Sequence, residues 1–341
     1  MTRRVSVSVV GATGYAGGEL VRLLASHPNV EIASLHGRER DGRPLADDLP
    51  HLAPLGLTVL DGDPEPGVEA AFLALPAGSS ASLAVRLAAQ GTCVIDVGPD
   101  LRLRDPAAYP TWYGFDHPEP AALGEAVYGL TERVRPRLPG ARLVANPGCY
   151  PTAALLALAP LVAAGAVEGH IVVDAKSGIS GAGRTVGTEF LFTELTGGTR
   201  AYALGGHRHL TEITQGLCDA GLADASVSFV PHLVPQARGI LATCHVGLAE
   251  TMDGEALQRI LLSAYADAPF VHVVDASPST KLTAGTNHAF LHAASAGPRR
   301  GVVVAAIDNL GKGAAGQAIQ NMNLALGLPE AAGLEGLAVF P

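Results

Sequence analysis

Lysine is nearly missing from this chain. Of 23 strongly basic residues only Lys176, Lys281 and Lys312 are lysines, and arginine supplies the rest. Charge of either sign is sparse, at 16% of residues, and sums to −9, so no overall positive field draws the chain to nucleic acid. A local group of arginines can still hold a small anion, which keeps anionic metabolites in play. Cysteine is scarce too. Cys93, Cys149, Cys218 and Cys244 show neither the close pairs of a zinc site nor the density of a disulfide framework, which fits a reducing cytoplasm. Long apolar runs are absent: the most apolar stretch, residues 153–167, is shorter than a membrane span and is interrupted by Pro160. Residues 1–4 lead straight into a strand-like segment, with no length for a secretory signal. What is present is a 48% apolar chain of 341 residues, enough for two domains of ordinary size.

Residues 5–10 are a β-branched run, followed by a glycine turn and a helical pattern from Glu19 to Leu24. Short apolar runs at residues 31–35, 70–75 and 92–97 continue the alternation of strand and helix. That pattern predicts βαβ units around a parallel sheet. Beyond residue 146 the character changes to an apolar helix from about Pro151, strands at 171–175, 226–230, 240–246 and 302–307, and several glycine-rich loops. This predicts an α+β domain on a largely antiparallel sheet. Residues 316–326 read as one more helix that returns to the first domain. The expected division is therefore residues 1–148, completed by 315–341, and residues 149–314. The fold class is α/β, a Rossmann-like dinucleotide-binding domain followed by an α+β domain.

Gly11, Gly14 and Gly17 lie between the first strand and the first helix. Without β-carbons the backbone can turn tightly and approach a diphosphate, whose charge meets the N–H groups at the helix start. A ligand-free sharp turn would use the same residues. An NAD site usually has Asp or Glu at the end of the second strand, whereas this chain has Gly37 and Arg38 there. Arg38 suits a 2′-phosphate, which favours NADPH/NADP+; a solvated surface arginine is the plainer reading.

Asn146-Pro147-Gly148-Cys149-Tyr150-Pro151-Thr152 runs directly into a strong apolar helix former. Pro151 suits a first helical turn, so Cys149 sits at the helix entrance, where the dipole favours thiolate over thiol. Most cysteines are inert core residues, and Cys93, Cys218 and Cys244 fit that description. A nucleophile needs a proton or charge partner, and His207, Arg208, His209 and Glu212 supply two imidazoles and a carboxylate. His-x-His also suggests a metal, but no further ligand motif accompanies it, so none is expected.

Several motifs together resemble the N-acetyl-gamma-glutamyl-phosphate reductase family of arginine biosynthesis, within the wider semialdehyde dehydrogenases. They are the glycine turn, the Cys149 motif, Asp174-Ala175-Lys176-Ser177-Gly178, Gly206-His207-Arg208-His209, Gly285-Thr286-Asn287 and the segment from Ala305 to Gln317. The resemblance runs from the first strand to the last helix. It implies NADPH-dependent reduction of an acyl phosphate to an aldehyde through a cysteine thioester, by a homodimer or homotetramer with a catalytic and dimerisation domain. On this basis Cys149 is the nucleophile, His207 and His209 are acid/base and thiolate partner in an order left open, and Glu212 supports them. Gly11, Thr13, Gly14, Tyr15, Gly17, Arg38, Ser177, Gly178 and Asn309 match the cofactor side. On the substrate side stand Asn146, Lys176 and Ser180, with Arg102, Arg184 and Arg238 as candidate anion contacts. The chain departs from the family pattern at Ala77 and at Gly98-Pro99.

The substrate and phosphate are then small molecules, with no nucleic-acid or membrane partner. The lysine count adds an expectation of its own. In a chain so biased to arginine, a retained lysine marks a place that needs a compact ammonium, so Lys176 and Lys312 are expected to serve the active site or cofactor. Competing readings are a carrier-linked aminoadipyl-phosphate reductase of lysine biosynthesis, an idle NADP-binding sensor and a cysteine hydrolase. The Cys149 motif disfavours the first, the cysteine and histidine pair the second, and the glycine turn the third.

Overall fold

Val-Ser-Val-Ser-Val-Val at residues 5–10 forms β1 (Val5–Val10), buried at every position but Ser6. The computed structural model describes residues 4–184 and 186–340, so the expectation about residues 1–4 lies, Arg4 apart, outside the described residues. The chain turns at Gly11 into α1 (Tyr15–Leu24), and β2 (Val30–His36) lies parallel to β1. A small ribbon of β3 (Arg43–Pro44) and β4 (Thr58–Val59) precedes β5 (Ala70–Leu73), α2 (Ala81–Ala89) and β6 (Cys93–Asp96). Then come α3 (Ala108–Tyr113), α4 (Ala122–Glu125), β7 (Val127–Tyr128), α5 (Thr131–Val134) and β8 (Leu143–Ala145). The sheet order is β2-β1-β5-β6-β8-β7, and every pair is parallel. β5, β6 and β8 are buried at each residue, as strands covered on both faces must be. β1 lies between β2 and β5, so the strand order reverses there and the carboxyl ends of β1 and β5 open a crevice.

The second unit comprises residues 148–313, and residues 337–340 group with it rather than with the first as expected; the first comprises residues 4–147 and 314–336. The second opens with α6 (Cys149–Ala163), apolar all round and buried from Tyr150 to Val162, which is how a central helix must read. The elements that follow are β9 (Val167–Ser177), α7 (Phe192–Leu195), β10 (Arg200–Ala201), α8 (Arg208–Asp219), β11 (Ser226–Leu233) and β12 (Ile240–Leu248). α9 (Gly254–Ala264), β13 (Val271–Val273), β14 (Ala289–Ser295) and β15 (Arg300–Ile307) complete it. The sheet order is β10-β11-β9-β12-β15-β14-β13. It is antiparallel except where β11 meets β9 and β13 meets β14, so the sheet is largely antiparallel, as expected, with two parallel pairings.

α6 packs against β9, β12 and β15, with α8 and α9 beside it. The alternation along β9 shows which face they cover: Ile171, Val173, Ala175 and Ser177 are buried, while Val172, Asp174 and Lys176 are half-exposed. Val230, Leu241, Phe290, Val302 and Val304 are half-exposed in the same way on the neighbouring strands. The chain then returns as α10 (Gly316–Ala325), which packs on α1, α5 and β6 of the first unit. α10 is buried although it carries four amides, and each finds a partner. Asn321, for example, donates to Gly129 O at 2.7 Å and accepts from the Thr131 hydroxyl at 2.7 Å. Among the described residues no helix is long and apolar enough to cross a membrane.

Asp96, at the carboxyl end of β6, is fully buried, and burial followed by the nearby Asp100 charge pushes its carboxyl up to about 7. An unfolded aspartate titrates near 3.9, so the folded state holds this proton more tightly. The stability this gives is present below about pH 4 and is lost as pH rises through 7. Asp96→Asn removes the ionisation while keeping an acceptor for Gly98 N–H. Its urea midpoint is expected to exceed that of the wild type by more at pH 8 than at pH 5; equal shifts at both would contradict the assignment.

Candidate active site

Pro147 cannot extend a helix backward, and Gly148, extended at φ −66° and ψ 154°, turns the chain so that α6 starts at Cys149. Cys149 is half-buried and belongs to the wall of a cavity of about 300 Å³. Its other walls come from Tyr150, from Ser177 and Gly178 at the end of β9, from Leu233, from the connection between β9 and α8, including Tyr202 and His207, and from Arg208 and His209 at the start of α8. Cys93 and Cys244 are buried, and burial pushes both thiols up to about 12; Cys218, expected in the core, is instead exposed on the solvent side of α8, and none of the three is among the cavity-lining residues.

α8 brings the histidines in. His207 is its N-cap, and His207 Nδ1 accepts the His209 backbone N–H at 3.1 Å. That bond places the ring proton on Nε2. Burial, then the neighbouring Arg208, lowers the His207 pKa to about 4, so at neutral pH this imidazole is uncharged. His209, in the first turn, is buried with its ring centroid 4.8 Å from that of His207 and 5.8 Å from that of Tyr150. Glu212 follows one turn later on the same face. It is fully buried, and its Oε1 accepts the Gly148 backbone N–H at 2.7 Å. The carboxylate thereby ties the start of α8 to the start of α6.

A second knot lies at the end of β15. Asp308, fully buried, accepts Arg238 Nε at 2.9 Å and the backbone N–H groups of Gly285, Leu310 and Gly311. Asn309 accepts Gly239 N–H at 2.7 Å and donates to Ser180 Oγ at 2.9 Å. These bonds gather the loops after β9, before β12 and before β14 around the π-turn Gly311–Ala315. A β-carbon on Gly313 would come within 2.8 Å of Cys149 Cβ, so only glycine lets this turn lie against the cysteine.

In the first unit, Gly11 has φ +83°, and a β-carbon there would run into the Ala74 carbonyl; one on Gly17 would run into the Gly11 carbonyl. The turn therefore needs glycine at both positions for its own close backbone contacts. No side chain caps α1, whose first residue is the exposed Tyr15. Arg38 is exposed in the turn after β2, whereas Arg40 is paired with Asp48 at 2.8 Å. Gly37 packs on Thr13.

The expected substrate residues are scattered. Lys176 does not reach the cavity: it points from β9 to the face opposite Ser177 and pairs with Asp174 at 2.8 Å, because adjacent residues of a strand alternate faces. Arg238 is held by Asp308, and Arg184 lies on an exposed turn outside the cavity lining. Arg102 and Asn146 belong to the first unit's buried interior. Arg102 donates to the Asn146 and Val97 carbonyls at 2.8 Å each, and Asn146 Nδ2 donates to Ala314 O at 3.1 Å. Lys312 is fully buried in the π-turn, near enough to His288 that its charge, after burial and His272, lowers that pKa. The cavity's cations are instead Arg200, which the sequence reading passed over, and Arg208, which it named beside the histidines without giving it a role. Arg208 stood between the two histidines; nothing near Arg200 in the sequence marked it.

Two family models match the chain: semialdehyde dehydrogenase, NAD binding domain, over residues 6–140, and semialdehyde dehydrogenase, dimerisation domain, over residues 149–309. A relative from Dehalococcoides mccartyi named N-acetyl-gamma-glutamyl-phosphate reductase is 47% identical over 341 residues, covering 99% of this chain and 100% of its own. A relative of the same name from Halorhodospira halophila is also 47% identical, with the same coverage. Among solved structures, aspartate semialdehyde dehydrogenase II from Vibrio cholerae, complexed with ASA, superposes with a TM-score of 0.69 at 17% identity, over 94% of this chain and 98% of that one. An aspartate semialdehyde dehydrogenase with NADP from Candida albicans gives 0.65 at 18%, with the same coverage. At these identities the likeness concerns the fold.

Removing the Glu212 carboxylate leaves the buried Gly148 N–H without its acceptor, a loss of about 1–3 kcal/mol. Glu212→Ala is expected to lower unfolding stability by that amount, and Glu212→Gln, which keeps an acceptor, by less; chemical denaturation measures both. The lowered His207 pKa carries a separate signature. Its stability contribution is fully present above about pH 6.5 and lost as pH falls through 4. His207→Asn keeps an N-cap side chain and should flatten the pH dependence of stability in that window.

Proposed function

The chain belongs to the N-acetyl-gamma-glutamyl-phosphate reductase family, and from that premise we propose that it reduces N-acetyl-L-glutamyl 5-phosphate to the 5-semialdehyde with NADPH, through a thioester on Cys149. The cavity carries this reading: a half-buried sulfur at the head of a long helix, two histidines and two arginines line one pocket.

The partial positive charge at the start of α6 favours the Cys149 thiolate. The thiolate adds to the acyl carbon, phosphate leaves, and an acyl-cysteine thioester remains. Charge builds on the carbonyl oxygen as the bond forms, and the N–H groups of the first turn of α6 face in the direction that stabilises it. His209 is the acid/base: it is buried in the cavity wall, one turn before Glu212. His207 has its Nδ1 occupied and its pKa near 4, so it serves as a neutral Nε2–H donor and as the N-cap that orders α8. Arg200 and Arg208 meet the substrate's anionic groups, the role first expected of Arg102, Arg184 and Arg238.

NADPH fits the first unit through the Gly11, Gly14 and Gly17 turn and the open start of α1, with Thr13 and Tyr15 beside them. Arg38 would take the 2′-phosphate, Ser177 and Gly178 would line the nicotinamide side, and Asn309 would hold their loop through Ser180 and Gly239. When bound, NADPH supplies the hydride that lowers the acyl carbon to the aldehyde level. A homodimer through the half-exposed face of the second unit's sheet suits its apolar band of Val172, Val230, Leu241, Val302 and Val304. A reducing cytoplasm suits a nucleophilic thiol that must stay out of disulfides.

The reaction is tested in reverse, with N-acetyl-glutamate semialdehyde, phosphate and NADP+, against a carrier-linked aminoadipate semialdehyde as the competing substrate. Turnover of the first alone is expected, with a loss of at least 1000-fold in Cys149→Ala. Mass spectrometry after incubation without phosphate should find the acyl group on Cys149, and an acylated protein lacking it there would end this mechanism. Arg38→Ala is expected to raise KM for NADPH about tenfold or more, from a lost charge-assisted contact, while leaving NADH use unchanged.

A further inference from the structure

Two loops stand at the carboxyl ends of the first unit's strands: residues 74–80 between β5 and α2, and residues 97–103 after β6. The first sets off beside the glycine turn, since the Ala74 carbonyl is what a β-carbon on Gly11 would strike, and its tip at residues 76–79 is exposed. Both departures from the family pattern, at Ala77 and at Gly98-Pro99, fall in these loops.

One residue joins them. Asp100 is fully buried, and its carboxylate accepts the backbone N–H of Gly78 on Oδ1 at 2.8 Å and those of Ser80 and Ala81 on Oδ2 at 2.8 and 3.2 Å. Its own carbonyl accepts the Tyr109 hydroxyl and the His117 Nε2–H at 2.6 Å each, so Asp100 is held from behind. A helix start needs no such distant help. Ser80 stands at the N-cap of α2, yet its side chain caps nothing, and the N–H groups there go to a carboxylate 20 residues further along. A cap reaching in from another loop satisfies the same donors and also fixes the spacing of two loops. Gly98 sets that spacing from the other side. A β-carbon on it would come within 3.0 Å of both Leu75 O and Asp96 Oδ1, so glycine lets the loop after β6 lie this close without displacing either. The unit thus has two helix starts of opposite kind, α1 without a side-chain cap and α2 filled by a carboxylate. A diphosphate meets open N–H groups at α1, and what the α2 side contributes is a wall.

We propose that Asp100 is a positioning residue for the cofactor. By holding residues 78–81 it sets the loop after β5 as the wall against which NADPH lies, beside Gly11, Gly14 and Gly17, and it touches no reacting atom itself. The proposal rests on the reading that NADPH binds at this glycine turn, and it adds the residue that fixes the wall.

Asp100→Asn keeps the size of the side chain, but its amide nitrogen must face either the Gly78 N–H or the Ser80 and Ala81 pair. Gly98→Ala displaces the same loop without touching Asp100. Leu83→Ala, in the core beneath α2, is the control, because it weakens the packing of that helix and leaves the bonds of both loops in place. The full-length proteins are compared by urea midpoint, NADPH titration, turnover and alkylation of Cys149 by iodoacetamide. Asp100→Asn and Gly98→Ala are each expected to weaken NADPH binding about tenfold. Their kcat at saturating NADPH should stay within about twofold of the wild type and their Cys149 alkylation rate should not change. Leu83→Ala should lose stability and keep wild-type affinity. If Asp100→Asn binds NADPH like the wild type, or if affinity falls in all three variants in step with stability, Asp100 is only a cap for α2 and the proposal fails. A wild type that takes up no NADPH removes the cofactor reading itself, and this proposal with it.

Discussion

One hydrogen bond organises the second unit's chemistry: the Gly148 N–H held by the buried Glu212 carboxylate at 2.7 Å. A helix start leaves backbone donors without intrahelical partners, and here one of the groups ahead of α6 is satisfied by a charge from another helix. Cys149 and the histidines lie on different helices, far apart in sequence. Their mutual position is therefore no more accurate than the bond joining those helices. Because Glu212 and His209 share a face of α8, the carboxylate that fixes the docking also fixes where the imidazole stands.

Around this bond the fold divides two tasks that the sequence presented as one. His207 and His209 look equivalent on paper. In the fold, one uses its Nδ1 on the backbone and loses its basicity to burial and to Arg208, and the other stands in the cavity wall before a carboxylate. Asp308 does for the loops what Glu212 does for the helices. By accepting three backbone N–H groups and Arg238 it turns three glycine-rich connections into one surface.

Much of this was legible beforehand because it rests on local rules. β1, the glycine turn and the helix head at Cys149 follow from β-branching, absent β-carbons and proline. The βαβ alternation gave the parallel sheet. Lys176 was misjudged because its motif neighbour Ser177 does reach the cavity, and strand alternation sends adjacent residues to opposite faces. Arg238 was read as a candidate anion contact because nothing local marks its partner, Asp308, which lies 70 residues away. Arg200 was invisible since its place depends on a two-residue pairing with β11. α10 was recognised as a helix, yet its buried amides would have been read as a solvated face without Gly129 and Thr131 opposite them.

The unequal exposure of the thiols has a chemical corollary. Cys93 and Cys244 are sealed in strands with their ionisation suppressed, while the sulfur at the head of α6 opens on a cavity. Peroxide and electrophiles would thus meet that sulfur, and Cys218 exposed on α8, while the two interior thiols stay shielded. Oxidative injury would silence such a molecule without unfolding it, leaving intact protein that a thiol reductant could return to service so long as the sulfur had gone no further than the sulfenic state.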